Sequence, residues 1–224
     1  MILGIDTSSA RGSAALVDNG RVVEEIVSET PSSFSRTLLD MIDSILSMRG
    51  GVGALGGMAV TTGPGSFTGI RIGIATIQGV TLSTGIPVFG VGTLDAMARA
   101  SGGSDFTGPA TVLVDAGKGN AYFADFDFLG GKPERRSPDG FAPLSELEQR
   151  AGKRAFFCDK GDRPRIGPLL SRECGVFHHS AAAGAAIRAE EQAASGEAGD
   201  VALLSSNYVQ KSYAEKTFNN LREG

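Results

Sequence analysis

Thr61-Thr62-Gly63-Pro64-Gly65-Ser66-Phe67-Thr68-Gly69-Ile70-Arg71-Ile72-Gly73 is the stretch of this chain best equipped by residue type to hold a ligand. It links an apolar run to a helical pattern, and its small residues let backbone N–H groups face outward. The helix start adds partial positive charge, favourable ground for phosphate. Known phosphate loops do not fit it. A P-loop ends in Lys followed by Ser or Thr, and Thr68-Gly69 stands there instead. The dinucleotide pattern G-x-G-x-x-G finds Gly63 and Gly65 but Thr68 in its third place. A nucleophile elbow, G-x-S-x-G, fails at Ser66 because Pro64 and Thr68 flank it. Three readings stay open: a tight strand-to-helix connection, an anion site, and a contact with a partner.

Asp6 and Asp115 each end an apolar run beside a turn, where a cleft between two lobes would lie. There they would position a metal-bound phosphate or act as a base, or else cap their own turns as Asx-turns. With Thr7, Gly63, Gly65 and Ser66, Asp6 makes up the candidate phosphate or nucleotide contact. Metal chemistry has little to stand on. His178 and His179 are adjacent, so their side chains diverge on a helix or a strand, and no His-x-x-x-His pair exists. Cys158 and Cys174 lack CxxC spacing and are expected to pack as small buried side chains.

The elements that would position these residues are read from periodicity. Ile2 to Asp6, Ser13 to Val17 and Val22 to Ile26 read as a three-strand meander, its second turn marked by Asp18-Asn19-Gly20. Apolar residues at 34, 38, 41, 42, 45 and 46 predict a helix over 34–48. Met58 to Thr62 reads as a buried strand, Gly69 to Ser83 as a helix and Pro87 to Val91 as a strand. Ser101 to Pro109, rich in Gly and Ser, marks a boundary, giving a lobe over 1–103 and a smaller one over 104–224 whose end packs back on the first. Beyond it the opening pattern recurs: an apolar run from Thr111 to Asp115, a glycine-bearing turn, a strand from Ala121 to Phe128, then Gly130-Gly131. Ser180 to Ala194 predicts a helix capped by Ser180, and Tyr208 to Arg222 a surface tail or short helix.

The helix from Ile70 is apolar at 70, 72, 74, 75, 77, 80 and 82, nearly all round, with Arg71 and Gln78 on one narrow strip. Such a helix needs cover on every side, either from the 34–48 helix alone or from another subunit. The partner surface is therefore placed on Phe34, Leu38, Met41, Ile45, Ile70, Arg71, Ile74, Ile77 and Gln78.

Composition bounds the function classes. At 224 residues, 41% hydrophobic and 21% charged, the chain matches a globular protein with a real core. A net charge of −4 excludes a broad basic surface gripping nucleic acid unaided. The opening MILGIDTSS has no basic segment and no apolar signal core, and Arg71, Gln78 and Pro87 break the most apolar run, so a cytoplasmic place away from membranes is expected.

Three motifs carry a resemblance: IDTSS at 5–9, GPGSFTGIRIG at 63–73 and GVGTLDAMA at 90–98. Together with Asp115-Ala116-x-x-Gly119-x-x-Tyr122 and Asn207-Tyr208-Val209, they resemble the bacterial TsaB (YeaZ) family, most strongly over residues 1–100. Phe34-Ser35, Gly117 and Val209-Gln210 depart from that family's pattern. The resemblance implies an α/β, two-lobed, actin-like fold of the sugar kinase, Hsp70 and actin superfamily, with a reduced second lobe. It implies a non-catalytic paralogue of TsaD, required as scaffold and activator for threonylcarbamoylation of adenosine 37 (t6A) in tRNAs reading ANN codons. The expected partners are TsaD and the ATPase TsaE, with a homodimer when alone and tRNA met only through the assembly. No metal and no cofactor of its own are expected, while ATP or ADP would bind at the partner interface. The alternative is an ATP-dependent phosphotransferase or ATPase on the same fold; a metallopeptidase suits the missing histidine pair poorly.

Overall fold

Asn19 and Gly20 both take positive φ, 51° and 73°, the backbone of a two-residue hairpin turn that matches strand twist. That turn joins β2 (Ser13–Asp18) to β3 (Arg21–Val27), and β2 also pairs antiparallel with β1 (Ile2–Asp6). The computed structural model describes residues 1–28, 34–101, 106–197, 199–200, 202, 204–207 and 209. The Phe34 side chain, the expected lobe boundary at 103/104 and all of the 208–222 tail except 209 lie outside the described residues.

After β3 come α1 (Phe34–Ser47), β4 (Gly57–Thr61), α2 (Phe67–Thr84), β5 (Val88–Val91) and α3 (Thr93–Arg99). The first sheet runs β3-β2-β1-β4-β5, with β4 parallel to both β1 and β5. The second half repeats the plan. It contains β6 (Gly108–Gly117), β7 (Asn120–Leu129), β8 (Lys132–Arg135), β9 (Gly140–Pro143), α4 (Leu144–Arg150), β10 (Ala155–Cys158), α5 (Arg163–Ile166), β11 (Cys174–Val176) and α6 (Ala181–Ala194). Its sheet runs β8-β7-β6-β10-β11, again an antiparallel meander followed by two parallel strands, with β9 pairing on β7. A meander of three strands followed by two parallel crossovers, used twice, is the two-lobed actin-like architecture that the resemblance implied. The second copy uses shorter crossover helices.

Alternation along β1 sorts the first lobe into layers. Leu3 and Ile5, with Leu16, Met58 and Val60, pack under Leu38, Met41, Ile42 and Ile45 of α1 and under Ile70, Ile74 and Ile77 of α2. Ile2, Val17, Ala59, Phe89 and Val91 face the other way, into a core with α3, α6 and Val112, Val114, Phe126 and Phe128 of the second sheet. The far side of that sheet packs Leu113, Phe123 and Phe156 against Leu144, Leu147 and Ile166. Ser180 caps α6, its Oγ accepting from the Ala183 N–H at 3.4 Å. The helix is mostly alanine on its buried side, so backbones meet directly. A Cβ on Gly4 would overlap the Ala182 carbonyl oxygen, and one on Gly184 the Ala96 carbonyl oxygen. Among the described residues no helix is long and apolar enough to cross a membrane.

The expected partner surface is corrected at six of its residues. Ile70, Ile74 and Ile77 form its inward row, and Leu38, Met41 and Ile45 the inward row of α1. The chain's own sheet covers all six, so none of them presents a surface to a partner.

Candidate functional site

Asp6 ends β1 and is 2% exposed. Its Oδ1 accepts from the Ser8 N–H at 3.0 Å, the Ser8 hydroxyl at 2.5 Å and the Thr61 hydroxyl at 2.5 Å. Burial pushes its pKa up, and the bonds from Ser8 and Thr61 pull against that. Thr7 is fully buried, donating from Oγ1 to the Gly69 carbonyl at 2.7 Å. The Ser66 N–H donates to the Ser8 carbonyl at 2.6 Å, and the Ser66 hydroxyl caps α2 by accepting from Gly69 N–H at 3.2 Å. The Gly63–Pro64 peptide is cis.

Glycine in this loop answers to close approach. A Cβ on Gly65, where φ is 153°, would overlap the Ser8 carbonyl, and one on Gly69 the Thr7 carbonyl. Above Gly63 the backbone oxygen of Asn207 would stand 2.5 Å from a Cβ, and the Asn207 N–H donates to the Thr62 carbonyl at 2.7 Å. The 63–69 loop is thus zipped to the turn after β1, the tight-connection reading of the sequence. Many of the donors that an anion would need are already engaged within the protein.

Between the lobes lies an open cleft of about 360 Å³, walled by Ser8, Ser9, Gly65 and Ser66 on one side and Asp115, Tyr122, Asp162 and Arg165 on the other. Of the candidate phosphate contacts, Gly65 and Ser66 line it, while Asp6, Thr7 and Gly63 lie behind it. Asp115 accepts from the Gly117 N–H at 2.9 Å, an Asx-turn like that of Asp6 with Ser8, and faces Arg165 at 3.6 Å. Asp162 accepts from the Asp115 N–H at 3.1 Å. Burial first, then Asp159 and Asp115, push Asp162 up to about 6, against the bond from Asp115. Such a group exchanges protons near neutrality, and Arg165 beside it is a cation for an anionic solute.

Asp162 and Arg165 went unread in the sequence because no motif surrounds them. The internal repeat held the signal: the segment after β10 occupies in the second lobe the place that the 62–65 loop occupies after β4 in the first. Among the described residues no three His, Cys, Asp or Glu side chains converge to hold a metal ion. His178 and His179 contact each other edge to face.

A second candidate surface is the outward side of α2. Phe67, Arg71, Ala75, Gly79 and Leu82 face solvent there, and Gln78 is half-buried. Arg71 lies over the Phe67 ring at 3.9 Å. Leu82 is 80% exposed, Leu39 on α1 is 51% exposed, and Met48 just after α1 is 70% exposed. Nothing lies within 4 Å of a Cβ built on Gly79, so the helix surface is open there. Of the residues expected to meet a partner whose side chains are described, Arg71 and Gln78 are the ones that reach this surface.

The family model for TsaD, tRNA N6-adenosine threonylcarbamoyltransferase, matches residues 21–216. The chain is 34% identical over 126 residues to the Escherichia coli tRNA threonylcarbamoyladenosine biosynthesis protein TsaB, covering 56% of this chain and 54% of that protein. It spans about half the length of the first curated relatives it matches. It is also similar to the solved structure of a Pseudomonas aeruginosa protein described as similar to peptidase YEAZ, with a TM-score of 0.75 and 22% identity over 93% of this chain and 99% of that one. For YeaZ from the same organism the values are 0.71 and 24%, over 92% and 98%. These likenesses show the shared fold.

Proposed function

The chain belongs to the family of TsaD, tRNA N6-adenosine threonylcarbamoyltransferase, and from that footing we propose that it is the non-catalytic, TsaB-type subunit of a tRNA-modifying assembly. In this reading it docks on the catalytic TsaD subunit in the cytoplasm and activates it as a scaffold. The assembly then transfers threonylcarbamoyl to adenosine 37 of tRNAs reading ANN codons. TsaE joins as the ATPase, and ATP or ADP binds where the subunits meet rather than in this chain alone. With a net charge of −4 the subunit meets tRNA only through its partners.

One observation carries the reading: the outward strip of α2, where Phe67 and Leu82 stand exposed on the same side as the small Ala75 and Gly79. Large apolar side chains flanking small ones suit close helix-to-helix docking. The same strip serves a homodimer when the partner is absent. Size-exclusion chromatography with light scattering, and capture of TsaD on the tagged chain, test it directly. A Gly79→Arg chain that remains folded is expected to run as a monomer and to lose TsaD. Undiminished capture would refute the docking surface.

The inter-lobe cleft supports a second reading, an ATP-dependent phosphotransferase, because Asp115, Asp162 and Arg165 converge on it. Measurable ATP turnover by the isolated chain, lost in Asp162→Asn, would favour that reading over the first.

A further inference from the structure

Cys158 and Cys174 lie 16 residues apart with no spacing rule to join them, yet the parallel pairing of β10 with β11 brings their Sγ atoms to 3.3 Å. Phe156 registers against Cys174 and Cys158 against Val176, so both thiols project from one face of adjacent strands, into the α4–α5 core. Both are free thiols. β11 is three residues long and forms the sheet edge, so it is held on one side only. Cys174, itself only 3% exposed, lines a surface cleft of about 460 Å³ together with Lys160, Arg163, Arg172 and Glu173. Cys158 is sealed behind it, fully buried.

We propose that Cys158 and Cys174 form a peroxide-oxidisable dithiol, with Cys174 the attacking thiol and Cys158 the resolving one. The Cys174 thiolate attacks one oxygen of a hydroperoxide. An S–O bond forms, the O–O bond breaks, and the departing oxygen takes up a proton and leaves as an alcohol or water, giving a sulfenic acid. The Cys158 sulfur then attacks the Cys174 sulfur as its own proton leaves; the S–S bond forms and the S–O bond breaks with loss of water. Two thiols are oxidised by two electrons and the peroxide is reduced by two.

The roles follow from position and charge. The Cys174 thiol is pulled down first by the hydrogen bond with Cys158 and then by Arg163, against burial, Asp162 and Glu173. Cys158 is pushed up by the same bond, by burial, and by Cys174, Asp162 and Asp159. Cys158 and Cys174 are diagonal in the register, so closing to a bond of about 2.05 Å requires the short edge strand to move along its neighbour as well as inward. The covalent ring so closed contains 159–173, the segment that carries Asp162 and Arg165 into the inter-lobe cleft. Oxidation thereby ties down one wall of that cleft.

The test treats the purified full chain with hydrogen peroxide and counts thiols after unfolding. The count is expected to fall from two per chain to none, with a mass loss of two hydrogens and a peptide bridging Cys158 and Cys174. In Cys158→Ser, dimedone should trap one sulfenic acid on Cys174; in Cys174→Ser, it should label nothing. The corresponding Cys→Ala chains repeat both arms should either serine variant fold poorly, as judged by circular dichroism. Two thiols surviving a peroxide dose that fully oxidises dithiothreitol would overturn the proposal, as would disulfides formed only between chains. Equal dimedone labelling of Cys158 and Cys174 in the two variants would overturn the assigned roles.

Discussion

Leu82→Asp and Ile77→Asp, five residues apart on α2, should part ways completely. Ile77 is fully buried among Leu3, Ile5, Met58 and Val60. Its loss removes about 1.5–3 kcal/mol of apolar burial and leaves an unpaired carboxylate whose burial costs several kcal/mol more. The total, above about 5 kcal/mol, overlaps the roughly 5–15 kcal/mol that holds a whole domain together. Ile77→Asp is therefore expected to unfold the chain or drive it into aggregates, and failure to bind a partner would then say nothing about an interface. Leu82 is 80% exposed, so Leu82→Asp should change monomer stability by no more than about 0.5 kcal/mol. At the centre of a docked helix pair the same change should cost about 2 kcal/mol or more of association, roughly thirtyfold in Kd. Urea titrations followed by circular dichroism measure the first quantity; light scattering and TsaD capture measure the second. A folded Leu82→Asp chain with undiminished dimer and TsaD binding would remove the outer strip from the interface. A fully stable Ile77→Asp chain would refute the packing argument itself.

The other predictions concern packing and protons. Gly184→Ala drives a methyl into the Ala96 carbonyl and should destabilise by about 1–3 kcal/mol, lowering Tm by about 2–12 °C for a chain of this size; an unchanged Tm in calorimetry would show that α3 and α6 can part freely. Asp162, raised to about 6 from 3.8, holds its proton more tightly when folded. It favours the folded state fully below about pH 3.8, and that stabilisation fades as pH rises through about 6, a change of about 3 kcal/mol. In Asp162→Asn this pH dependence of the urea midpoint should vanish, and its persistence would deny the burial of that carboxyl. Asp6 is shifted in the same direction, so Asp6→Asn should gain stability over the wild type as pH rises above 3.8. A gap that narrows instead would contradict the shift.

Long helices and the strands of the opening repeat were legible, and length alone did not decide the rest. The windows that carry a helical or alternating signal recovered α1, α2, α6 and the strands β1 to β7. They missed α3, α4, α5 and β8 to β11, elements of three to seven residues outside the recognised repeat. The repeat was visible as strand, Asp, glycine turn and strand, and it became the matched sheet orders. The phase of α2 was harder, since apolar residues on all sides leave no preferred face. The glycines held the missing information. Gly69 and Gly73, four apart, face the backbone and hydroxyl of Thr7, and close approach of that kind fixes the inward row as Ile70, Ile74 and Ile77. The meeting of Cys158 with Cys174 was out of reach because it depends on which strand lies beside β10, a property of topology rather than spacing.

The two lobes use equivalent loops differently, and that difference bears on where chemistry could reside. In the first lobe the turn after β1 and the loop after β4 bond to one another: Asp6 Oδ1 accepts from Ser8 and Thr61, and Ser66 is bonded to Ser8 and Gly69. A close-packed, mutually bonded loop pair holds the start of α2 in place, as the proposed docking role requires. In the second lobe the equivalent pair leaves Asp115 and Arg165 partly exposed to the cleft and Asp162 ready to exchange a proton near pH 6. Any turnover by this chain alone would therefore run through the 115 and 162 carboxylates and not through Asp6, whose oxygen already accepts three hydrogen bonds. Under the proposed function, docking falls to the first lobe and whatever solvent-facing reactivity the chain has to the second, a division set by which of two equivalent loop pairs closes on itself.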